Sequence, residues 1–292
     1  GTSMPRIRGG HALGRYHREV VAAMREQGKT EGFLFEKVFI GADAERPAAA
    51  AENQGALWIN ADPGPVRCFL SDGTRWVERD LKHQTAGACL DLSSELTRQV
   101  ILKAMIEKAE AAFAARPDEP FQFTTDPEDG ASQFARIASL VNNPNWYPEY
   151  LQRERIHFGA YKLHGFKGLN QPTELWDPHS PSDHVYGFNN WLLREFDKYV
   201  DGLPEAERVT ASGHSKKALV RCNLLSYNYH DVPPNFNLDP RTRIKIAGFP
   251  KHRGKGKWLH LRTHADLAAA YRILLPEASV DYRIWSQAYF HD

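Results

Sequence analysis

The chain has 292 residues, of which 42% are hydrophobic and 25% charged, an ordinary composition for a globular protein. Its 37 basic and 36 acidic residues leave a formal net charge of +1, so overall charge gives no argument for a nucleic-acid or membrane-surface partner. No apolar run approaches the length of a membrane span. The three cysteines, Cys68, Cys89 and Cys222, form no CxxC pair, which excludes a disulfide framework and a cysteine zinc site.

The first half of the chain contains two segments with a helical pattern. Residues 1–4 (Gly-Thr-Ser-Met) are typical of a cloning remnant, and a native export signal could have been removed with them. The sequence predicts a helix over 11–27, a strand over 33–41 and a loop-like stretch over 53–73. The clearest helix covers 93–115, with Ser93 or Ser94 as its cap and Leu102, Ile106, Ala109 and Phe113 on one face.

A short strand over 121–125 follows that helix, and the second half continues with alternating elements. Residues 131–181 are long, irregular and aromatic, and we interpret them as an ordered insertion that covers a cleft. The later elements are predicted in this order: helix 183–200, strands 208–212, 219–229 and 243–249, helix 264–274, and strand 280–289.

Alternating strands and helices predict an α/β fold with a mainly parallel sheet. With five or six predicted strands, we expect a TIM-barrel-like (β/α)₈ domain, complete or partial, with the insertion 131–181 following a central strand. Residues 5–292 are expected to form this single domain.

Three carboxylates stand directly after the predicted strand 121–125. Asp126, Glu128 and Asp129 occur together with the strand-breaking residues Pro127 and Gly130. Ligands of parallel sheets sit at the carboxyl ends of the strands, and clustered acids there raise one another's pKa. An acidic turn is the structural alternative, because Asp and Gly are common turn formers.

An ordered set of short segments resembles a bacterial glycoside-hydrolase-like domain family, often joined to an α-glucuronidase-type N-terminal domain. The matching segments span roughly residues 70–290, in the family's order: Asp72-Gly-Thr-Arg75, Cys89-Leu-Asp-Leu-Ser-Ser-Glu95, the strand and turn 121–130, Ser182-Asp-His-Val-Tyr-Gly-Phe-Asn-Asn190, Tyr227-Asn-Tyr229 with Pro233-Pro234, and Tyr282-Arg-Ile-Trp285. The resemblance implies a barrel-like fold that acts on carbohydrate. It matches Asp129 to the family's strand-end aspartate, and His11 loosely to an early histidine.

Glycoside hydrolysis generally uses two carboxyl groups. Asp129 is the first candidate for general acid or base, with Asp126 or Glu128 in support, and the partner carboxylate is expected on another strand, with Asp183 and Asp292 as options. Residues proposed to bind substrate supply hydroxyl, amide, imidazole or aromatic groups: Tyr227, Tyr229, His230, Asn189, Trp146, Trp176, Trp285 and His11. Asn189 lies mid-helix, where an Asn more often bonds a neighbouring backbone group than a ligand.

Two basic segments, 251–258 and 214–217, suit an acidic polysaccharide. They also support an alternative, a non-catalytic carbohydrate- or polyanion-binding module, whereas a nucleic-acid partner is not expected. A metal-assisted hydrolase is the other alternative, although no histidine spacing matches a tight metal motif, so no metal or cofactor is predicted. A polysaccharide hydrolase would be extracellular or periplasmic.

Overall fold

A computed structural model of the protein describes residues 16–33, 35, 37–60, 62, 67–79, 90–92, 94–125, 181–226, 234, 236–248 and 280–284. These residues divide into two compact units, with the boundary between Lys103 and Ala104. Among the described residues, the first unit holds those up to Lys103. The second unit holds Ala104–Thr125 and the described residues from Pro181 onwards.

The first unit begins with helix α1, His17–Gln27. Val20, Val21 and Met24 form its buried face, at the three- and four-residue spacing of an amphipathic helix. The helix ends at Gly28, whose φ of 63° is left-handed, and the N–H of Lys29 donates to the carbonyl of Met24 at 3.0 Å. This is a glycine C-cap, and it satisfies carbonyls that would otherwise lack a partner.

A mixed four-stranded sheet follows in the first unit. Its strands are β1 (Val38–Gly41), β2 (Leu57–Asn60), β3 (Cys68–Ser71) and β4 (Trp76–Arg79), in spatial order β1-β2-β3-β4. β1 pairs with β2 in parallel, while β2–β3 and β3–β4 are antiparallel. The turn between β3 and β4 is an Asx turn, since Asp72 Oδ1 accepts hydrogen bonds from the backbone N–H groups of Thr74 and Arg75 at 2.9 Å each.

Helix α2 runs over Glu95–Ala115. The Ser94 hydroxyl accepts a 3.4 Å hydrogen bond from the N–H of Thr97, which confirms Ser94 as a capping residue. The buried face consists of residues spaced by four, Ile101, Met105, Ala109 and Phe113. The predicted buried face is confirmed at Ala109 and Phe113. It is wrong by one position in the preceding turns, where Ile101 and Met105 are buried and the predicted Leu102 and Ile106 are partly exposed.

The second unit is built on a parallel sheet. Its strands are β5 (Phe121–Thr124), β6 (Val220–Ser226), β7 (Thr242–Gly248) and β8 (Val280–Ile284), hydrogen-bonded in that order. All three pairings are parallel. Helix α3 (Pro181–Gly202) lies between β5 and β6 in the chain, and the short helix α4 (Lys216–Leu219) leads into β6. The buried face of α3 includes Val185, Phe188, Leu192, Phe196 and Val200.

The expected TIM-barrel-like fold is wrong. A barrel needs eight parallel strands in one closed sheet, whereas the described strands form two separate sheets of four. Residues 53–73, for which the sequence predicts a loop-like stretch, contain β2 and β3. These strands are only four residues long, and they are joined antiparallel without a crossover helix, so they carry no βαβ pattern.

Two further element predictions differ from the structure or fall outside it. The predicted strand 208–212 is wrong, because this segment forms only an isolated bridge between Val209 and Ser215. The insertion 131–181 lies outside the described residues except for Pro181, and the predicted helix 264–274 lies outside them entirely. Within the described part of the chain, no helix combines the length and apolar composition needed to cross a bilayer.

Candidate functional site at the parallel sheet

The carboxyl ends of β5, β6 and β7 lie at the same edge of the parallel sheet. β5 pairs with β6 through Thr124 and Asn223, and β6 pairs with β7 through Ser226 and Ile246. The chain leads directly from Thr125 into Asp126, and from the end of β6 into Tyr227. Two of the segments predicted to carry the site therefore begin at one edge of one sheet.

The predicted site residues themselves lie mostly outside the described part of the chain. This holds for all three candidate catalytic acids and for most of the candidate substrate-binding residues: Asp126, Glu128, Asp129, Tyr227, Tyr229, His230, Trp146, Trp176, Trp285 and His11. Of the two options for a second carboxylate, Asp292 also lies outside, and Asp183 is described only as part of the backbone of α3. Asn189 is the predicted site residue whose side chain the structure describes.

Asn189 is fully buried where α3 packs on the sheet. Its Oδ1 accepts hydrogen bonds from the Thr125 hydroxyl, at 3.5 Å, and from the Cys222 thiol. Its Nδ2 donates to Thr242 Oγ1 at 3.2 Å. The side chain thus bonds groups on β6 and β7 and the residue that follows β5, rather than the backbone of its own helix.

Asn189 and its partners Thr125, Cys222 and Thr242, here called the Asn189 cluster, hold the residue that precedes the acidic segment 126–129. Thr125 is 1% exposed and immediately precedes Asp126, so its anchor to Asn189 determines where the chain leaves the sheet. Buried polar groups that are fully bonded specify one arrangement of the core. Asn189 is predicted from the sequence as a substrate-binding residue, and the sequence did not indicate its partners Thr125, Cys222 and Thr242. The available signal was an Asn amid the apolar residues of α3.

The other face of the parallel sheet is polar. Paired residues of a parallel ladder share a face, and successive residues alternate. The pairs Gln122–Arg221 and Asn223–Arg243 therefore project to the side opposite Cys222 and Thr242, as does Lys245. A 2.9 Å hydrogen bond from Asn223 Nδ2 to Gln122 Oε1 links neighbouring strands on this face.

Two arginines, Arg221 and Arg243, lie on that face. Burial lowers the pKa of Arg221, and the positive charges of Arg243 and Arg241 lower it further. Arg221 Nη1 donates to the carbonyl oxygens of Ala218 and, at 2.8 Å, Val220. Among the residues described here, neither Arg221 nor Arg243 has a carboxylate within ion-pair distance.

Arg241 contrasts with these two arginines. Its Nη1 and Nη2 donate to both carboxylate oxygens of Asp197 at 2.7 and 2.9 Å, and its Nε and Nη2 donate to Asp239 at 2.9 and 2.6 Å. The two carboxylates hold the pKa of Arg241 above its usual range despite burial. This ion-pair network joins the end of α3 to the start of β7 and is structural.

The basic side chains of segment 214–217 form ion pairs with carboxylates of the same chain. Lys216 is buried and donates to Glu110 at 2.6 Å, Lys217 contacts Asp201 at 2.5 Å, and His214 lies 3.3 Å from Asp118. The segment precedes β6, so it lies at the amino-terminal edge of the sheet, opposite the edge at which β5 ends. It therefore gives little support to polyanion binding. The second basic segment, 251–258, lies outside the described residues.

Across the described ranges, no group of three or more His, Cys, Asp and Glu side chains is placed to hold a metal ion. Comparison of the chain with protein-family models, with curated proteins and with solved structures finds no match.

Proposed function

We propose that the protein is a glycoside hydrolase that acts on a poly- or oligosaccharide, with Asp129 as general acid or base and Asp126 or Glu128 as a supporting carboxylate. The observation that carries this proposal is the parallel pairing of β5 with β6. It makes the acidic segment that follows β5 and the segment Tyr227–Asp231 that follows β6 start from neighbouring positions at one sheet edge.

The chemistry of the two segments is complementary. Neighbouring strands lie about 4.8 Å apart, and β6 ends three residues, roughly 10 Å, beyond Asn223, the residue paired with the end of β5. Side chains of the two segments can therefore contact one oligosaccharide. The first supplies carboxylates, which can protonate a leaving oxygen or activate water. The second supplies phenol, imidazole and a further carboxylate, Asp231. Catalytic carboxyl groups of glycosidases are roughly 5 to 10 Å apart, a separation that two adjacent strand ends can provide.

Clustering also suits general acid catalysis. Like charges placed close together raise the pKa of one carboxyl group, so that it stays protonated near neutral pH and can donate to the leaving group. The acids Asp126, Glu128 and Asp129 fall within four consecutive residues. We assign the proton donor to this group and expect Asp231 to be a candidate for the second carboxylate.

The test is hydrolysis of a panel of neutral and uronic-acid-containing glycans by the wild type, Asp129→Asn and Asp118→Asn. Asp118 is the matched control because it precedes β5, has a side chain that is 68% exposed, and carries the same charge. We expect Asp129→Asn to lower kcat at least a hundredfold, the usual worth of a general acid or base, and Asp118→Asn to leave it unchanged. Thermal melting of each variant checks that folding is intact.

Other outcomes separate the alternatives. Equal hydrolysis by the wild type and Asp129→Asn would remove Asp129 from the chemistry. Activity that disappears with a chelator would indicate a metal-assisted hydrolase instead. Glycan binding by the wild type without hydrolysis of any glycan would favour a non-catalytic binding module. This second candidate is supported by Arg221 and Arg243, which have no carboxylate within ion-pair distance among the described residues.

A further inference from the structure

We infer that the polar face of the parallel sheet binds the anionic groups of the glycan, so that the substrate carries carboxylate or sulfate substituents. This inference deepens the proposed function, because it names the substrate class of the same sheet. The residues assigned to this role are Arg221, Arg243 and Lys245.

The three cations form a diagonal row across two strands. Arg221 stands one residue before the register pair Cys222–Thr242, Arg243 one residue after it and Lys245 three residues after it. At about 3.3 Å per residue, the row spans about 13 Å along the strands. It runs from the amino-terminal part of the sheet towards the edge where the acidic segment begins, which is the geometry needed to bind successive charged units of a chain.

The electrostatics of the row favour an external anion. Arg221 and Arg243 carry like charges on one face of adjacent strands, and both are partly buried. The described residues offer them no carboxylate within ion-pair distance, whereas the neighbouring Arg241 binds two. An arginine with a purely structural role would be expected to pair with carboxylates of the protein, as Arg241 does. A planar guanidinium with open donors matches a carboxylate or sulfate in two-point contact.

The flanking residues of this face are neutral or balanced. Gln122 is exposed on this face, and its amide suits the hydroxyls of a sugar ring. On β8, Asp281 occupies the register position beside Lys245, and Arg283 the position beside Ala247. The three cations of the row therefore outnumber the one carboxylate, Asp281, at a neighbouring register position. Charge complementarity selects an acidic glycan rather than a neutral one.

The test measures binding by isothermal titration calorimetry, with Asp129→Asn as the background so that hydrolysis does not interfere. The probes are an oligogalacturonate, its methyl-esterified neutral form, a sulfated oligosaccharide and a single-stranded oligonucleotide. Arg243→Gln is compared with Arg116→Gln, which removes the same charge from an exposed pair with Glu119. Losing a charge-assisted contact should weaken binding of the acidic probe about tenfold or more.

We expect Arg243→Gln and Arg221→Gln to weaken binding of the acidic probe and to reduce its salt dependence, while Arg116→Gln matches the background protein. The oligogalacturonate and sulfated arms show which anion is preferred. Equal affinity for the acid and its methyl ester, unchanged affinity in Arg243→Gln, or tighter binding of the oligonucleotide than of either glycan would overturn the inference.

The binding test separates this inference from the proposed function. If the acidic probe binds through Arg243 but no glycan is hydrolysed, the hydrolase assignment fails and the anion site stands. If a neutral glycan is hydrolysed through Asp129 and the acidic probe does not bind, the hydrolase assignment stands and the anion site fails. Melting temperatures of Arg221→Gln and Arg243→Gln close to that of the background protein exclude misfolding as the cause.

Discussion

Asn189 Nδ2 donates to Thr242 Oγ1 at 3.2 Å, between two side chains that are fully buried. This hydrogen bond joins the middle of α3 to the first residue of β7. Through Oδ1 the same amide also accepts hydrogen bonds from Thr125 and Cys222, so one side chain links α3 with β6, β7 and the residue that follows β5. The amide therefore ties α3 to β6, to β7 and to Thr125, the residue from which the chain continues into Asp126.

Replacing Asn189 by Leu should destabilise the protein strongly. The change removes the acceptor and the donor that satisfy three buried polar groups, and each unsatisfied group costs about 1–3 kcal/mol. We expect the free energy of unfolding in urea to fall by about 3 kcal/mol or more. Asn237→Leu, at an exposed position that follows β6 in the same unit, is the control and should change stability by less than about 0.5 kcal/mol. Similar losses in both variants would contradict the role of the Asn189 cluster.

Arg241→Leu should also be strongly destabilising. It leaves the buried carboxylate of Asp239 and the partly buried carboxylate of Asp197 without their common partner. Removing one member of a buried ion pair costs about 3–5 kcal/mol, and the partial exposure of Asp197 places the expected loss at the lower end. Arg241→Lys keeps the charge but loses the planar fork, so it should lie between Arg241→Leu and the wild type. The measurement is urea denaturation of each variant.

Arg116→Leu is the matched control for Arg241. Arg116 pairs with Glu119 at 2.8 Å, but both side chains are more than half exposed. Exposed ion pairs contribute about 0–1 kcal/mol, so this variant should unfold almost as the wild type does. If Arg116→Leu were as destabilising as Arg241→Leu, burial would not explain the difference between the two pairs.

The Cys68 thiol should make stability depend on pH above about 9. Burial in β3 raises its pKa to about 12, from an ordinary value of 9.0. Between these values the unfolded chain loses the thiol proton and the folded chain keeps it, so the stabilising contribution is complete below pH 9 and is lost as pH rises towards 12. The loss approaches about 1.4 kcal/mol per pH unit within this window.

The measurement compares urea unfolding of the wild type and Cys68→Ala at pH 7, 8, 9 and 10. At pH 7 and 8 the difference between the two proteins should be constant, because the thiol is protonated in both states. Above pH 9 the wild type should lose stability faster than Cys68→Ala. Parallel profiles up to pH 10 would show that the thiol is not shielded from water in the folded protein.

Two glycine-to-alanine changes should have opposite effects. Gly28 ends α1 with a φ of 63°, which is unfavourable for alanine, so Gly28→Ala should cost about 1 kcal/mol although the site has space for a methyl group. Gly202 is the last residue of α3, lacks a left-handed φ and also has space. Gly202→Ala should stabilise by about 0.4–1 kcal/mol. Melting temperatures shifted in the same direction would contradict this backbone argument.

The elements of the second unit could largely be predicted from sequence. The predicted segments 121–125, 243–249 and 183–200 correspond to β5, β7 and α3 within two residues at each end. Each of these segments has a long or regular apolar pattern. The helix 93–115 was found for the same reason, and its termination before Pro117 follows from the missing N–H of proline.

The mixed sheet could not be predicted, and the fold class was wrong as a result. β2, β3 and β4 have four residues each, too few for a reliable period, and their pairing depends on contacts between different segments of the chain. Predicting the candidate site was harder still. A carboxylate cluster is visible in the sequence, but whether Asp231 or another acid faces Asp129 depends on tertiary structure.

The order of the strands along the chain also bears on how the protein folds. β1 to β4 all precede residue 80, and β3 is separated from β4 by a turn of four residues, whereas β5 and β6 are separated by nearly a hundred residues. Short loops close at little entropic cost and pair rapidly, and long ones pair slowly. The mixed sheet can thus form early during synthesis. The parallel sheet can be completed only after its last strand, Val280–Ile284, has left the ribosome.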